Sequence, residues 1–289
     1  KNKKTYFLSK EISILINNWF IMYFLSVVLI GTVYPIFLEV LTDEKISIGP
    51  PFFNKLIIPF LIIFLIFMSI GPNLHWVKFK AIKIKIEFFI LFIISLLISF
   101  LILKSGGSKN LVNSLLISAS FYLFFITIKD FFAKDSFNYS QKLSHFGFSL
   151  LVLSILLNSI FSSEVITNLR VGENIVFKNE IIYFDSTEKK NNANYKSIIG
   201  NFRIEDNKKN STHLKPELRV YNQPVTITSE ADIKTSLFSD KFLVMNLVKG
   251  NDYFNVRYQV KPFMIWIWLS VLIMSMGGIL SFYKRKYEK

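Results

Sequence analysis

The 289 residues are 52% apolar and 16% aromatic with positive mean hydropathy, which excludes an ordinary water-soluble domain and places the chain in the membrane class. A formal charge of +14 would suit nucleic acid, but residues 162 to 262 carry 15 basic against 12 acidic groups while the rest carries 19 against 8. Cations gathered around apolar runs orient a membrane protein, so the expected partner is the lipid bilayer and no nucleic acid.

Cysteine is absent, so no disulfide braces the chain, thiol exchange is excluded, and any redox chemistry would need a borrowed cofactor. The chain opens on Lys1, and no cleavable signal pattern precedes the first apolar run. A segment of a longer chain is therefore expected.

Six apolar runs are long enough to cross a bilayer: about 14–38, 56–74, 88–103, 111–128, 143–161 and 263–282, the third being the shortest. The expected fold class is an α-helical polytopic membrane protein with an inserted all-β extracytoplasmic domain. Residues 1–161 form the five-helix membrane region, 162–262 the β domain, and 263–289 a final helix with a basic cytoplasmic tail. With the N-terminus inside, 15 basic residues fall on the cytoplasmic side and only Lys45, Lys55, Lys104 and Lys109 lie in the short outer loops.

Pro35, near the far end of the first run, can kink that helix or help close it. In the following loop, Gly49, Pro50 and Pro51 are expected to hold the chain extended, with Phe52 and Phe53 as an aromatic anchor for the second helix. His75 beside Trp76 ends the second run as an interfacial ring. A cytoplasmic loop of alternating lysines follows, and the third and fourth runs make a hairpin around the Gly-rich KSGGSKN.

The fifth run, QKLSHFGFSLLVLSILLNSIF, sets His145 near the entry of 19 residues without a charge, Leu143 to Phe161. An intramembrane imidazole either stays near the headgroups or is held by a hydrogen bond, a metal or a haem iron. Both readings stand at this point.

After Phe161 the pattern becomes short alternating segments. In YFNVRYQV, Phe254, Val256, Tyr258 and Val260 face one way and Asn255, Arg257 and Gln259 the other. NIVFKNEIIYF, IIGNFRIED, PELRVY and KFLVMNLV repeat the signal, predicting a β-sandwich or small barrel that shapes or docks. His213 has no second histidine at metal spacing and reads as a surface residue. In the last run Trp266 and Trp268 anchor the outer boundary, and Gly277 and Gly278 allow close helix approach.

The stretches SKEISILINN, GTVYPIFLEVLTDEKISIGPPFFN, SIGPNLHW, SHFGFSLLVLSI, LKPELRVY and KPFMIWIWLSVLIMSMGG, in this order from Ser9 to Tyr287, resemble the C-terminal half of the cytochrome c-type biogenesis protein CcmF family, the haem lyase of a multi-component maturation pathway. The resemblance implies help in attaching haem covalently to the CxxCH cysteines of apocytochrome c. It also implies an intramembrane haem b held by two histidines on different helices, with His145 matching the second and acting as a haem-iron axial ligand. The family's Trp-rich haem-handling segment is missing, since the only tryptophans are Trp19, Trp76, Trp266 and Trp268. The implied partners are therefore an N-terminal half of the lyase carrying that segment, the haem chaperone CcmE, apocytochrome c and its thiol-handling partner CcmH. Ligation by this segment alone is not expected, and no catalytic residue is assigned. The implied location is the bacterial cytoplasmic membrane with the β domain on the periplasmic side, or the mitochondrial inner membrane. The alternative is a multi-pass scaffold or permease component whose external β domain binds a partner, with no cofactor.

Overall fold

A computed structural model describes residues 9–43, 45–74, 86–106, 111–133, 139–207, 210–248 and 252–287. Among these residues are six helices long and apolar enough to cross a membrane and an inserted β-sandwich. The chain is a polytopic membrane protein. It divides into two compact units, residues 1–153 with 269–289, and residues 154–268.

In the first unit, α1 (Lys10–Thr42) begins where the Ser9 hydroxyl accepts from the backbone N–H of Ile12. This cap satisfies one of the donors that a helix start leaves open. Pro35 lies inside α1, which runs on to Thr42 and ends at Asp43 in the left-handed region (φ 57°). Pro50 and Pro51 are not extended; they form the first turn of α2 (Pro50–Ile70) behind an extended Gly49. The first turn of a helix has no intrahelical use for its N–H groups, and the fixed proline φ is already helical, so two prolines start a helix as readily as they stiffen a loop. The phenylalanines that follow pack on α1. A Cβ added at Gly31 would lie 2.6 Å from the Phe53 ring, so glycine is what admits it. Tyr23 donates to the Leu56 carbonyl at 3.0 Å, and Phe20, Phe24, Phe60 and Phe64 build an aromatic layer between the two helices.

A single 3-10 turn, Gly71–Asn73, ends α2. Helix α3 (Ile86–Gly106) has 21 residues, and its membrane span, Ile86–Lys104, is at 19 residues the shortest of the six, as expected. It is longer than its charge-free stretch because Glu87 in its first turn pairs with Lys129 of α4 (Leu111–Phe132) and can stay helical. Serines let α3 and α4 approach: Ser99 donates to the Ser114 carbonyl at 2.8 Å, and the Ser95 and Ser118 hydroxyls lie 3.5 Å apart. Small residues serve in this way where lipid offers no hydrophobic drive between helices. Helix α4 is the most buried span. Helices α5 (Tyr139–Phe161) and α6 (Met264–Tyr287) complete the set.

The second unit is a sandwich. One sheet has the order β1-β10-β9-β8, from β1 (Ser163–Leu169), β8 (Asp232–Thr235), β9 (Ser239–Leu247) and β10 (Phe254–Pro262). The other runs β2-β3-β4-β6-β7, from β2 (Asn174–Phe177), β3 (Glu180–Asn191), β4 (Tyr195–Asp206), β6 (Glu217–Asn222) and β7 (Val225–Glu230), with β5 (Ser211–Leu214) also pairing to β4. NIVFKNEIIYF is therefore a hairpin, turned at Lys178 (φ 53°). Between the sheets Phe184 stacks on Phe202 at 4.3 Å, amid Ile182, Ile204, Leu218 and Leu243. Val256 and Tyr258 face this core with Phe254 and Val260 beside them, which is the face the alternation of β10 predicts. Strand β1 leaves α5, β10 enters α6, and the two pair antiparallel from Ser163↔Val260 to Leu169↔Phe254. The two connections to the membrane helices are thus hydrogen-bonded neighbours.

Candidate functional site

His145 is the seventh residue of α5. Phe161 lies sixteen positions further on, about 24 Å of helix at 1.5 Å per residue. The α5 sequence assigns its faces. Lys142 donates to the Ala133 carbonyl, Phe146 packs on Phe124 and Phe131, and the Ser149 and Thr127 hydroxyls lie 2.7 Å apart, so this side is held by α4 and the residue that follows it. On another side, Gly147 and Ser144 meet α6. A Cβ at Gly147 would lie 2.9 Å from the Met274 backbone nitrogen, and one at Gly277 would lie 2.8 Å from that of Ser144. Phe148 meets Phe64 of α2 edge to face.

At 100° per residue, His145 falls between the α4 side and Phe148, on the flank toward α1 and α2. Lys10 at the start of α1 is within electrostatic reach of the ring. The imidazole is half-buried and has no hydrogen-bond partner among the described residues. Two buried amide atoms of the same unit are also unpartnered among them: Asn17 Oδ1 on α1 and Asn73 Nδ2 at the end of α2. Sequence reasoning passed over both asparagines, because an amide near a helix end is ordinary until its burial is known.

His213 is exposed on β5, and His75 lies outside the described residues. Among the described residues no cluster of three or more His, Asp or Glu could hold a metal ion. An unpartnered imidazole on a helix packed on two sides fits one axial ligand of a haem iron. Among the described residues no second histidine stands in a spanning helix, so an opposing ligand would have to come from elsewhere.

The β unit holds a polar group that sequence reasoning missed. The buried Tyr258 hydroxyl donates to Glu180 Oε2 at 2.6 Å, and Lys241 pairs with Glu180 Oε1 at 2.7 Å. Burial, with the Glu180 carboxylate second, raises the Tyr258 pKa, so this hydroxyl stays a donor. Its neighbours are all provided for, which makes the group a fastening between β3, β9 and β10.

The family model described as the CcmF C-terminal beta-sandwich matches residues 160–262, the strands just described with their flanks. Along the full chain, the cytochrome c-type biogenesis protein CcmF of Pseudomonas fluorescens is 26% identical over 296 residues, covering 97% of this chain and 44% of that protein. Over nearly its whole length the chain is thus similar to CcmF proteins, and its β domain matches their C-terminal sandwich. CcmF of Escherichia coli K12 is 26% identical over 289 residues, again covering 97% of this chain and 45% of that protein. The cytochrome c-type biogenesis protein NrfE of Haemophilus influenzae is 23% identical and covers 99% of this chain. A solved structure, "Cytochrome c Heme Lyase CcmF", superposes with a TM-score of 0.72 over 95% of this chain and 46% of that one, at 18% identity, and so shares its fold. The chain spans about half the length of the curated relatives it matches, and its similarity is to their C-terminal half.

Proposed function

We propose that this chain is the haem b-anchoring and assembly half of a cytochrome c haem lyase, with His145 as one axial ligand of the haem iron. The observation that carries the reading is the half-buried imidazole of α5, which has no hydrogen-bond partner among the described residues. An intramembrane ring is held there by a partner worth its desolvation. The chain's own work is to present one ring nitrogen, to fix the helix by Phe146 and Ser149 on one side and Gly147 on another, and to keep water from that nitrogen with apolar neighbours. When bound, haem b would supply a one-electron couple that keeps the substrate haem ferrous.

The opposing ligand and the Trp-rich segment that handles substrate haem belong to an N-terminal half. Apocytochrome c, the chaperone CcmE and the thiol-handling CcmH are the partners of the assembled lyase. The ligation step, in which cysteine thiols add to vinyl groups of the substrate haem, is assigned to that assembly. The β-sandwich lies on the periplasmic side of a bacterial cytoplasmic membrane.

The test is spectroscopic. The chain is co-expressed with an N-terminal half of the lyase, purified in detergent and reduced. A b-type Soret and α band is expected, and His145→Ala should abolish it. An unchanged spectrum in the variant would show that the iron is held by other residues. A colourless wild-type assembly would instead favour a cofactor-free scaffold.

A further inference from the structure

The turn between β8 and β9 is Ser236 to Ser239. It is closed by the Ser236 N–H donating to the Ser239 carbonyl at 3.2 Å and by the Ser239 N–H donating to the Ser236 hydroxyl at 3.2 Å. A hairpin tip is usually its most solvated part and carries polar side chains. Here the tip is Leu237 and Phe238, 55% and 65% exposed.

Two hydrogen bonds fix where that tip sits. The Phe263 N–H donates to the Phe238 carbonyl at 2.9 Å, and the Trp266 indole Nε1–H donates to the Leu237 carbonyl at 3.0 Å. Phe263, in the left-handed region at φ 62°, turns the chain from β10 into α6. Helix α6 is a membrane span from Met264 onward, so the tip is bonded to the turn where that span enters lipid. Trp268, 66% exposed, continues the apolar surface along the helix. An interfacial tryptophan normally turns its N–H to water or headgroups. That of Trp266 is held by the hairpin instead, which brings the hairpin to the tryptophan's depth.

We propose that the β8–β9 turn is a membrane contact of the β domain additional to its two chain connections: Leu237 and Phe238 insert into the interfacial layer of the leaflet that α6 enters. Lipid is the occupant because the exposed tip is continuous with the lipid-facing start of a spanning helix. Val225, by contrast, lacks that continuity. Val225, 80% exposed, starts β7, which pairs at Asn222 of β6, and β6 pairs with β4 at Tyr195. From Tyr195, the twelve residues of β4 lead to Asp206, beside Phe161 and Pro262 at the connections. Val225 is therefore about one long strand, roughly 35 Å, from the α6 entry. The inference is independent of any haem ligand.

The absence of cysteine makes the test clean. Single variants Leu237→Cys, Phe238→Cys and Val225→Cys of the full chain are labelled with an environment-sensitive fluorophore. Each is then reconstituted in phosphatidylcholine–phosphatidylglycerol vesicles carrying a doxyl-labelled lipid. Labels at 237 and 238 should be quenched by the doxyl lipid about threefold or more beyond the label at 225, and shielded from aqueous iodide that reaches 225. Iodide access at 237 and 238 equal to that at 225 would place the tip in water and overturn the proposal. Equal lipid quenching at all three positions would overturn it too. Shielding of the tip from both quenchers would also overturn it, since protein and not lipid would then cover the tip. Both tip side chains are exposed, so cysteine there removes no core packing, and Leu237 serves should the Phe238 variant misfold.

Discussion

Asp240 is 6% exposed, and its Oδ1 has no partner among the described residues. Desolvation raises its carboxyl above the ordinary 3.8, outweighing a backbone hydrogen bond from Ser236 that lowers it. A carboxyl with a raised folded pKa favours the folded state while protonated, at pH below its ordinary value, and that contribution is lost as pH rises through the folded pKa. Asp240→Asn should therefore raise the melting temperature of the purified chain by about 2–4 °C at neutral pH and leave it unchanged near pH 3.5. Thermal melts across that range check this; a gain that persists in acid would assign the effect to something other than charge burial. Glu217 has the opposite sign, since the Arg219 hydrogen bond holds it below its ordinary value, and so it contributes at neutral pH and fails in acid. Sequence composition counts these acids alike. Which is buried without a partner and which is paired depends on neighbours several strands away.

At the scale of elements, the spans were legible because lipid leaves a backbone only helix or closed barrel, and an unbroken apolar run of sufficient length has no other solution. The strands of strongest alternation were legible for a similar reason. Those bearing polar residues on both faces, SEVITNL in β1, STHL in β5, VTITSE in β7 and DIKT in β8, were not. All four are the ends or side branch of their sheets, where one edge or face meets water and selects no pattern. Pro50 and Pro51 misled for a local reason, because proline signals a stiff loop and a helix start with the same residue. Gly277 and Gly278 are adjacent and alike in sequence, yet they part in the fold. A Cβ at Gly277 would meet the Ser144 backbone nitrogen at 2.8 Å and the Ser140 carbonyl oxygen at 2.9 Å, whereas at Gly278 nothing lies within 4 Å. Backbone cannot step aside as a side-chain end can. Gly277→Ala should cost about 1–3 kcal/mol and lower the melting temperature in detergent by several degrees, while Gly278→Ala should leave it unchanged or slightly raised. Equal effects at both sites would mean that α5 and α6 do not pack through Gly277.

For the whole molecule, the expected orientation places both termini in the cytoplasm and residues 162–262 outside. Protease added to spheroplasts should cut within that region while a C-terminal tag stays protected, read by immunoblot; loss of the tag with an intact sandwich would invert the topology. The sequence by itself determined that the chain lives in a membrane, how many times it crosses, and that a β domain sits between the fifth and sixth crossings. Length of apolar run and period of alternation are properties of consecutive residues, and the solvent reads them one segment at a time. It also singled out His145, because an ionisable ring in an apolar run is conspicuous without any neighbour. Only the tertiary structure decided that α4 and α6 occupy two sides of that ring's helix, that Gly277 and not its neighbour meets α5, and that the apolar tip Leu237–Phe238 is bonded to the entry of α6. Each of these joins residues far apart in the chain, and what a side chain does there depends on which atoms stand within about 3–4 Å of it, a distance that no linear pattern encodes.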